Sequence, residues 1–441
     1  MKKLILLAAA LASYAAPAPA QTDVPPPVVL SSAIPGDVNV TAKTVSIDAF
    51  QPDFDVYSWN TFIALNWPPA ADGNGDPKKT IGANGDNDTV WEHYRDVRDV
   101  FLPDGATPSW NGPPAALPPE GKALYKSGML VLTQVGKTPT VLTDFSEPFN
   151  TGPLIDQNGN YTRFAILINK SMFDYIVANR LYSKAGQKAF TPPVDFVSGV
   201  LAANGKLGVE GAIMVKAAWK VIDPAEAPRF HARQALICTP ASENPKYPAA
   251  CNVQLVGLVG LHIAHKTTDA PQWLWSTFEH VDNVPTAADV RSGHLKAKYN
   301  YYNPKCDATA CPANQIPRRP WDPTRISTFH SQIVRNNLFN LPIYAASAAA
   351  RNADAKRLLT GVSAQSVWQN YELISTMWPT NAAEPLGAPA PAFLANTTLE
   401  TYVQRVPPQP NVSSQCIECH NNATMTVPVP SDFTYILQRA K

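Results

Sequence analysis

The 441-residue chain sets 36 Lys and Arg against 35 Asp and Glu, so its net charge lies close to zero. Charged residues make up only 16% of it, and no basic stripe runs along it, which excludes the electrostatic footprint of a nucleic-acid-binding protein. Forty-three prolines and a 45% hydrophobic content describe instead a chain with long ordered loops and enough apolar material for one large core or two.

The N-terminus reads Met1-Lys2-Lys3, then an apolar run from Leu4 to Ala16, then Ala-Pro-Ala ending at Ala20. A basic start, a short apolar stretch and small residues before a cut predict a signal peptide over residues 1–20. The apolar run is too short to span a bilayer as a helix, and no later stretch is long and apolar enough to do so. The expected destination is the periplasm, or secretion beyond it, with no membrane span.

Residues 21–45 are Pro- and Val-rich without period and read as an extended leader. The main body is expected over residues 46–380. Within it, "FDVYSWNTFIALNW" has apolar residues at helical spacing and predicts a buried helix. In the turn-rich loop that follows, Asp72, Asn74 and Asp76 alternate as oxygen ligands do in calcium loops. The later bidentate glutamate is missing, with Ala83 in its place, so the stretch reads as a solvated turn. "TVWEHYRDVRDVFL" predicts an amphipathic helix ending at Pro103.

From Gly152 the pattern turns to strands. "PLIDQNGNYTRFAILIN" sets two apolar runs around Asn158-Gly159, a hairpin signal, and "KSMFDYIVANRLYS" predicts a helix. "GAIMVKAAWKVI" places Ile213, Val215, Ala217, Trp219 and Val221 on one face of a strand. "RFHARQALIC", "CNVQLVGLVGLHIAHKT" and "QWLWSTFEHV" predict three more. Four successive strands with short connections favour an antiparallel sheet over a βαβ winding. "LPIYAASAAARNADAKRLL" predicts an Ala-rich helix, and "SVWQNYELISTMW" fits strand or helix. The fold class expected is therefore α+β, an antiparallel sheet with flanking helices. Residues 381–441 are expected to form a connector and a C-terminal segment with its own motif.

Six cysteines divide into three pairs. Cys238 with Cys251, and Cys306 with Cys311, bracket short loops and predict two local disulfides in an oxidising compartment. Neither pair has the Cys-x-x-Cys spacing of a zinc site. Cys416 and Cys419 belong to "CIECH", Cys-x-x-Cys-His, the attachment pattern of haem c. A thioredoxin-like redox pair would sit near a βαβ pattern, and a zinc site would need a second ligand pair; neither is present in the sequence.

On "CIECH" the chain resembles the c-type cytochromes. The resemblance implies one covalent haem c held through Cys416 and Cys419, with His420 as the iron ligand. It departs from ordinary single-haem cytochromes, whose motif lies near the start of the domain. "GLVGLHIAHKT", "WLWSTFEHVDN" and the C-terminal motif also make the chain similar to a group of large exported bacterial proteins of uncertain role. With so little chain after the motif, the body is expected to cover the haem.

The sixth iron position is left open by the sequence, with His262, His265, His280 and Met377 as candidates, or no ligand at all. His262 and His265 fall on opposite faces of one strand, so at most one can face a given pocket. Met425 lies close after His420 in the chain, a poor position for the opposite haem face. His93 is expected at the surface, and His231, His294 and His330 in structural roles. Three functions are compatible with this reading: periplasmic electron transfer through one haem, a haem-dependent oxidoreductase of peroxidase or oxygenase type, or a ligand-binding module with haem as sensor or electron outlet. The partner expected is a redox protein or a small electron donor or acceptor.

Overall fold

In the computed structural model, residues 27–38, 46–83, 88–115, 117–133, 151–201, 208–336, 339–404 and 415–441 are described. The expected signal peptide lies outside the described residues, as does most of the expected leader.

The chain runs α1 (Ile47–Leu65), β1 (Arg95–Asp96), β2 (Leu130–Thr133), β3 (Arg163–Ile168), α2 (Lys170–Ala178), α3 (Lys184–Ala189) and β4 (Ile213–Val221). Then follow β5 (Ala232–Thr239), β6 (Ser242–Glu243), β7 (Lys246–Tyr247), β8 (Ala250–His265), β9 (Leu274–His280) and α4 (Ala287–Ser292). The last elements are α5 (Pro342–Val362), β10 (Tyr371–Pro379), β11 (Pro389–Ala390) and α6 (Cys416–Asn421). One nine-stranded sheet has the order β1-β3-β4-β8-β9-β10-β11, with β5 on β8 and β2 on β5. Every pairing is antiparallel except β2 with β5. The α+β architecture read from the alternating segments is the one observed.

The period-2 pattern assigns the faces. Ile213, Val215, Ala217 and Trp219 of β4 point with Leu261, Ile263 and Phe278 into the core under α1 and α5. Met214, Ala264 and Trp275 point to the opposite face and join a second core. A bulge on β8, where Ala218 pairs Gly260 and Trp219 pairs Leu258, leaves the alternation of β4 undisturbed. Phe62 of α1 stacks on Phe278 at 4.3 Å between centroids, and Trp59 meets the same ring edge-on at 5.1 Å.

Two local expectations need correction. "TVWEHYRDVRDVFL" is not a helix: it breaks into 3-10 turns at Val90–His93 and Val97–Asp99 around β1. Asp96 takes the Arg98 N–H at 2.9 Å, and the backbone at Arg95–Asp96 pairs with β3, so a sheet edge outcompetes helical period. The Asn158-Gly159 turn forms, but its hairpin is reduced to a single bridge, Ile155 with Tyr161, because β3 pairs instead with β1 and β4. "SVWQNYELISTMW" resolves as a 3-10 turn at Val367–Asn370 leading into β10.

Both expected disulfides are present, Cys238–Cys251 and Cys306–Cys311, the first joining directly opposed residues of β5 and β8. The loop at Asp72 is a solvated turn, with Asp72 accepting from the Asn74 backbone N–H at 3.0 Å. Among the described residues no helix is long and apolar enough to cross a membrane.

The segment 415–441 does not stand apart. Ile417, Met425, Ile436, Leu437 and Ala440 are buried in the same core as Ile166, Ile168, Met214 and Trp275. Polar contacts fasten it further: Gln187 Nε2 donates to Leu437 O at 2.7 Å, Gln187 Oε1 accepts from Thr426 N at 2.9 Å, and Lys184 N donates to Lys441 O at 2.9 Å.

Candidate haem-attachment site

Cys416, Cys419 and His420 all lie on α6, whose 3.6-residue turn sets positions i, i+3 and i+4 on one face. Four cysteines of the chain are disulfide-bonded, whereas Cys416 and Cys419 are joined in no disulfide. Burial pushes the Cys416 thiol well above its ordinary value, and the negative charge of Glu400 adds to the shift. Burial raises Cys419 as well. Both are therefore protonated near neutral pH.

His420 is held by a carbonyl. Its Nδ1 lies 2.7 Å from Phe433 O, and a carbonyl only accepts, so the ring proton is on Nδ1 and the Nε2 lone pair is bare. Burial pushes the imidazole down to about 4, which keeps the ring neutral at pH 7. No hydrogen bond reaches Nε2 from any described residue. Trp275 lies against the ring at 4.3 Å between centroids, and Tyr435 meets it edge-on at 5.3 Å. Tyr435 also donates its hydroxyl to Cys419 O at 2.7 Å.

This donor set could hold a covalently attached haem: two cysteines outside any disulfide, one helical turn apart, and a neutral histidine whose second nitrogen is fixed by a carbonyl, as is usual for imidazole metal ligands. Haem bound there would supply a one-electron couple at iron. Trp275 and Tyr435 pack against His420, and Ile417 of the same helix is buried.

The remaining candidates are distributed over three places. His262, on β8, faces the tail; its Nε2 meets Glu400 Oε2 at 2.8 Å, and its Nδ1 meets the Thr277 hydroxyl at 3.0 Å. Burial alone would raise the Glu400 carboxyl, but the charge and hydrogen bond of His262, with Lys216 and the Asn396 N–H, hold it below its usual value. Gly260 makes this pair geometrically accessible. A Cβ there would collide with Thr398 Oγ1, so the missing side chain lets the turn carrying Glu400 lie on the strand.

His265 faces the other way, under α1. Its Nε2 donates to Glu210 O and its Nδ1 accepts from the Tyr57 hydroxyl, while burial pushes it down to about 4. The opposite-face expectation for these two histidines is met. His280 lies in a third place, stacked on Phe230 at 4.1 Å, donating to Arg229 O at 2.9 Å and accepting from Asp282 N at 3.2 Å. It is not part of the C-terminal site. Met377 pairs in register with Trp275 and is fully buried in the tail-facing core, as is Met425. His93 is half-exposed beside Asp88, as expected. His231 is fully buried against Trp368 rather than simply strand-bound.

Several partners of the motif carry no sequence signal. Glu400 and the Phe433 carbonyl reach the site only through the fold, and Trp275 was legible only as part of a predicted strand. No family model, no curated protein and no solved structure matches this chain.

Proposed function

We propose that the protein is an exported c-type cytochrome with a single haem c, bound through Cys416 and Cys419 and ligated by His420, and that it transfers electrons to or from a redox protein or small molecule. The observation that carries this reading is the Nδ1–H bond from His420 to Phe433 O, which leaves Nε2 as a bare, neutral donor on the same helix as two cysteines outside any disulfide. Two disulfides support an oxidising compartment, hence the periplasm or the exterior. The test is denaturing electrophoresis with haem staining after expression alongside a cytochrome c maturation system. Stain should stay with the full-length chain and vanish in Cys416→Ala/Cys419→Ala; stain that persists in the double variant refutes the attachment.

One observation favours a second reading, a haem-dependent oxidoreductase. His262, His265 and His280 all have both ring nitrogens engaged elsewhere. None is released to be a sixth ligand without breaking a buried contact. An optical spectrum separates the two readings. A low-spin haem indifferent to carbon monoxide supports electron transfer; a high-spin haem that binds it supports chemistry at an open position.

A further inference from the structure

The carbonyl that orients His420 sits on a strained turn. Asp432 and Phe433 are consecutive non-glycine residues in the left-handed region, with φ of 52° and 60°. A Cβ disfavours that conformation, so two such residues in a row persist only where their surroundings over-determine them. Here the surroundings act on Asp432. Its Oδ2 accepts from Lys266 Nζ at 2.5 Å and from the Phe196 backbone N–H at 2.7 Å. Its Oδ1 faces Trp273 Nε1 at 3.4 Å. The turn is closed on its other side by Ser431 Oγ donating to Thr434 O at 2.6 Å.

Lys266 is itself buried and fixed, since it directly follows β8 and its backbone N–H donates to Ala212 O at 3.0 Å. A rigid strand end thus grips the residue that precedes the His420 acceptor. We propose that Asp432, gripped by Lys266, is the positioning residue for His420: it holds the left-handed turn in place so that Phe433 O keeps the imidazole proton on Nδ1 and Nε2 stays bare. The role rests on the cytochrome reading for its purpose, but not for its geometry, which belongs to the chain alone.

The experiment therefore begins with the full-length apoprotein, labelled with ¹⁵N histidine, at a pH where the ring is neutral. His420 is identified by the signal lost in His420→Gln. In the native chain His420 should be almost wholly the Nδ1–H tautomer. In Asp432→Asn and in Lys266→Met the turn loses its grip, and the population should move several-fold toward the Nε2–H form that free histidine prefers. Asp432→Glu, which restores the carboxylate, should recover part of the native ratio. If Asp432→Asn does not fold, Lys266→Met decides by the same measurement. A folded Lys266→Met variant with the native tautomer ratio overturns the proposal.

In haem-loaded protein the same variants should shift the reduction potential upward, because a weaker Nδ1–H bond makes the histidine a poorer donor to ferric iron. A loaded variant with an unchanged potential also overturns it. A tautomer shift in a chain that never acquires haem upholds the positioning role while the cytochrome reading falls.

Discussion

On one face of the sheet α1 and α5 lie over Val215, Leu261, Ile263 and Phe278, and the cover is two regular helices. On the other face α2 and residues 415–441 lie over Ile166, Met214, Ala264 and Trp275, and the tail's share of the cover is one short helix, a 3-10 turn and a pair of left-handed residues. Both faces bury polar groups, but to different ends. Under the helices, Asp55 accepts from Ser347, Thr376 and Gln51, and His265 is bonded at both nitrogens, so the network closes on itself. Under the tail, His420 is bonded at one nitrogen and the two cysteines of its helix are in no disulfide. Regular cover buries apolar surface; the tail adds to its helix a non-helical turn whose Phe433 carbonyl reaches His420. The candidate site lies under the tail.

Paired truncations on neighbouring positions of β9 give the largest test of that contrast. Trp275→Ala and Phe278→Ala should each cost about 3–5 kcal/mol of stability, since both rings are buried in well-packed cores. Thermal unfolding measures the loss. Only Trp275→Ala should also alter the absorption spectrum of attached haem, because only Trp275 touches His420. Equal spectral change from both would erase the distinction between the faces.

The two faces should also differ in how they respond to pH. Burial raises Asp55 to about 7 in spite of its three donors. A carboxyl raised on folding contributes stability at low pH, and the contribution is lost as pH rises from its ordinary value near 4 through about 7. Asp55→Asn should thus be nearly neutral at pH 4 and more stable than the native chain at pH 8, by about 4 kcal/mol at most. Denaturant titrations at the two pH values check this. A variant with the same relative stability at both would show that Asp55 is ionised in the fold.

Glu400, under the tail, carries the opposite sign. Its pKa is held below the ordinary value, so its stabilisation is complete above about 4.3. It is lost as pH falls through the depressed folded value. Glu400→Gln should cost about 1.5–3 kcal/mol at pH 7, the range for hydrogen bonds to charged groups, and progressively less in acid. A cost that stayed constant into acid would mean the His262–Glu400 contact is not ionic.

How much of this could be read from the residues depended on how local each signal was. The alternation of Ile213, Val215, Ala217 and Trp219 assigned β4 and its inward face, and the spacing of Cys238 to Cys251 and of Cys306 to Cys311 anticipated both bridges. The motif on α6 was legible because its chemistry is fixed within five residues. The stretch 89–102 misled because its apolar spacing resembles a helix, and only the neighbouring edge of β3 makes it otherwise. Lys266 and Asp432 are 166 residues apart, and Glu400 reaches His262 across 138, so no window of sequence could join them. Gly260 was equally silent, because its role is the absence of a side chain under a turn that arrives much later.

The central claim is that one haem is covalently attached at Cys416 and Cys419. Intact-mass measurement of the protein produced with cytochrome c maturation machinery, followed by peptide mapping, tests it most directly. The account predicts an added mass of one haem, carried by the peptide that contains Cys416, Cys419 and His420, with Cys238–Cys251 and Cys306–Cys311 found as disulfide-linked pairs. An unmodified mass, with Cys416 and Cys419 recovered as thiols or joined to each other, would contradict it.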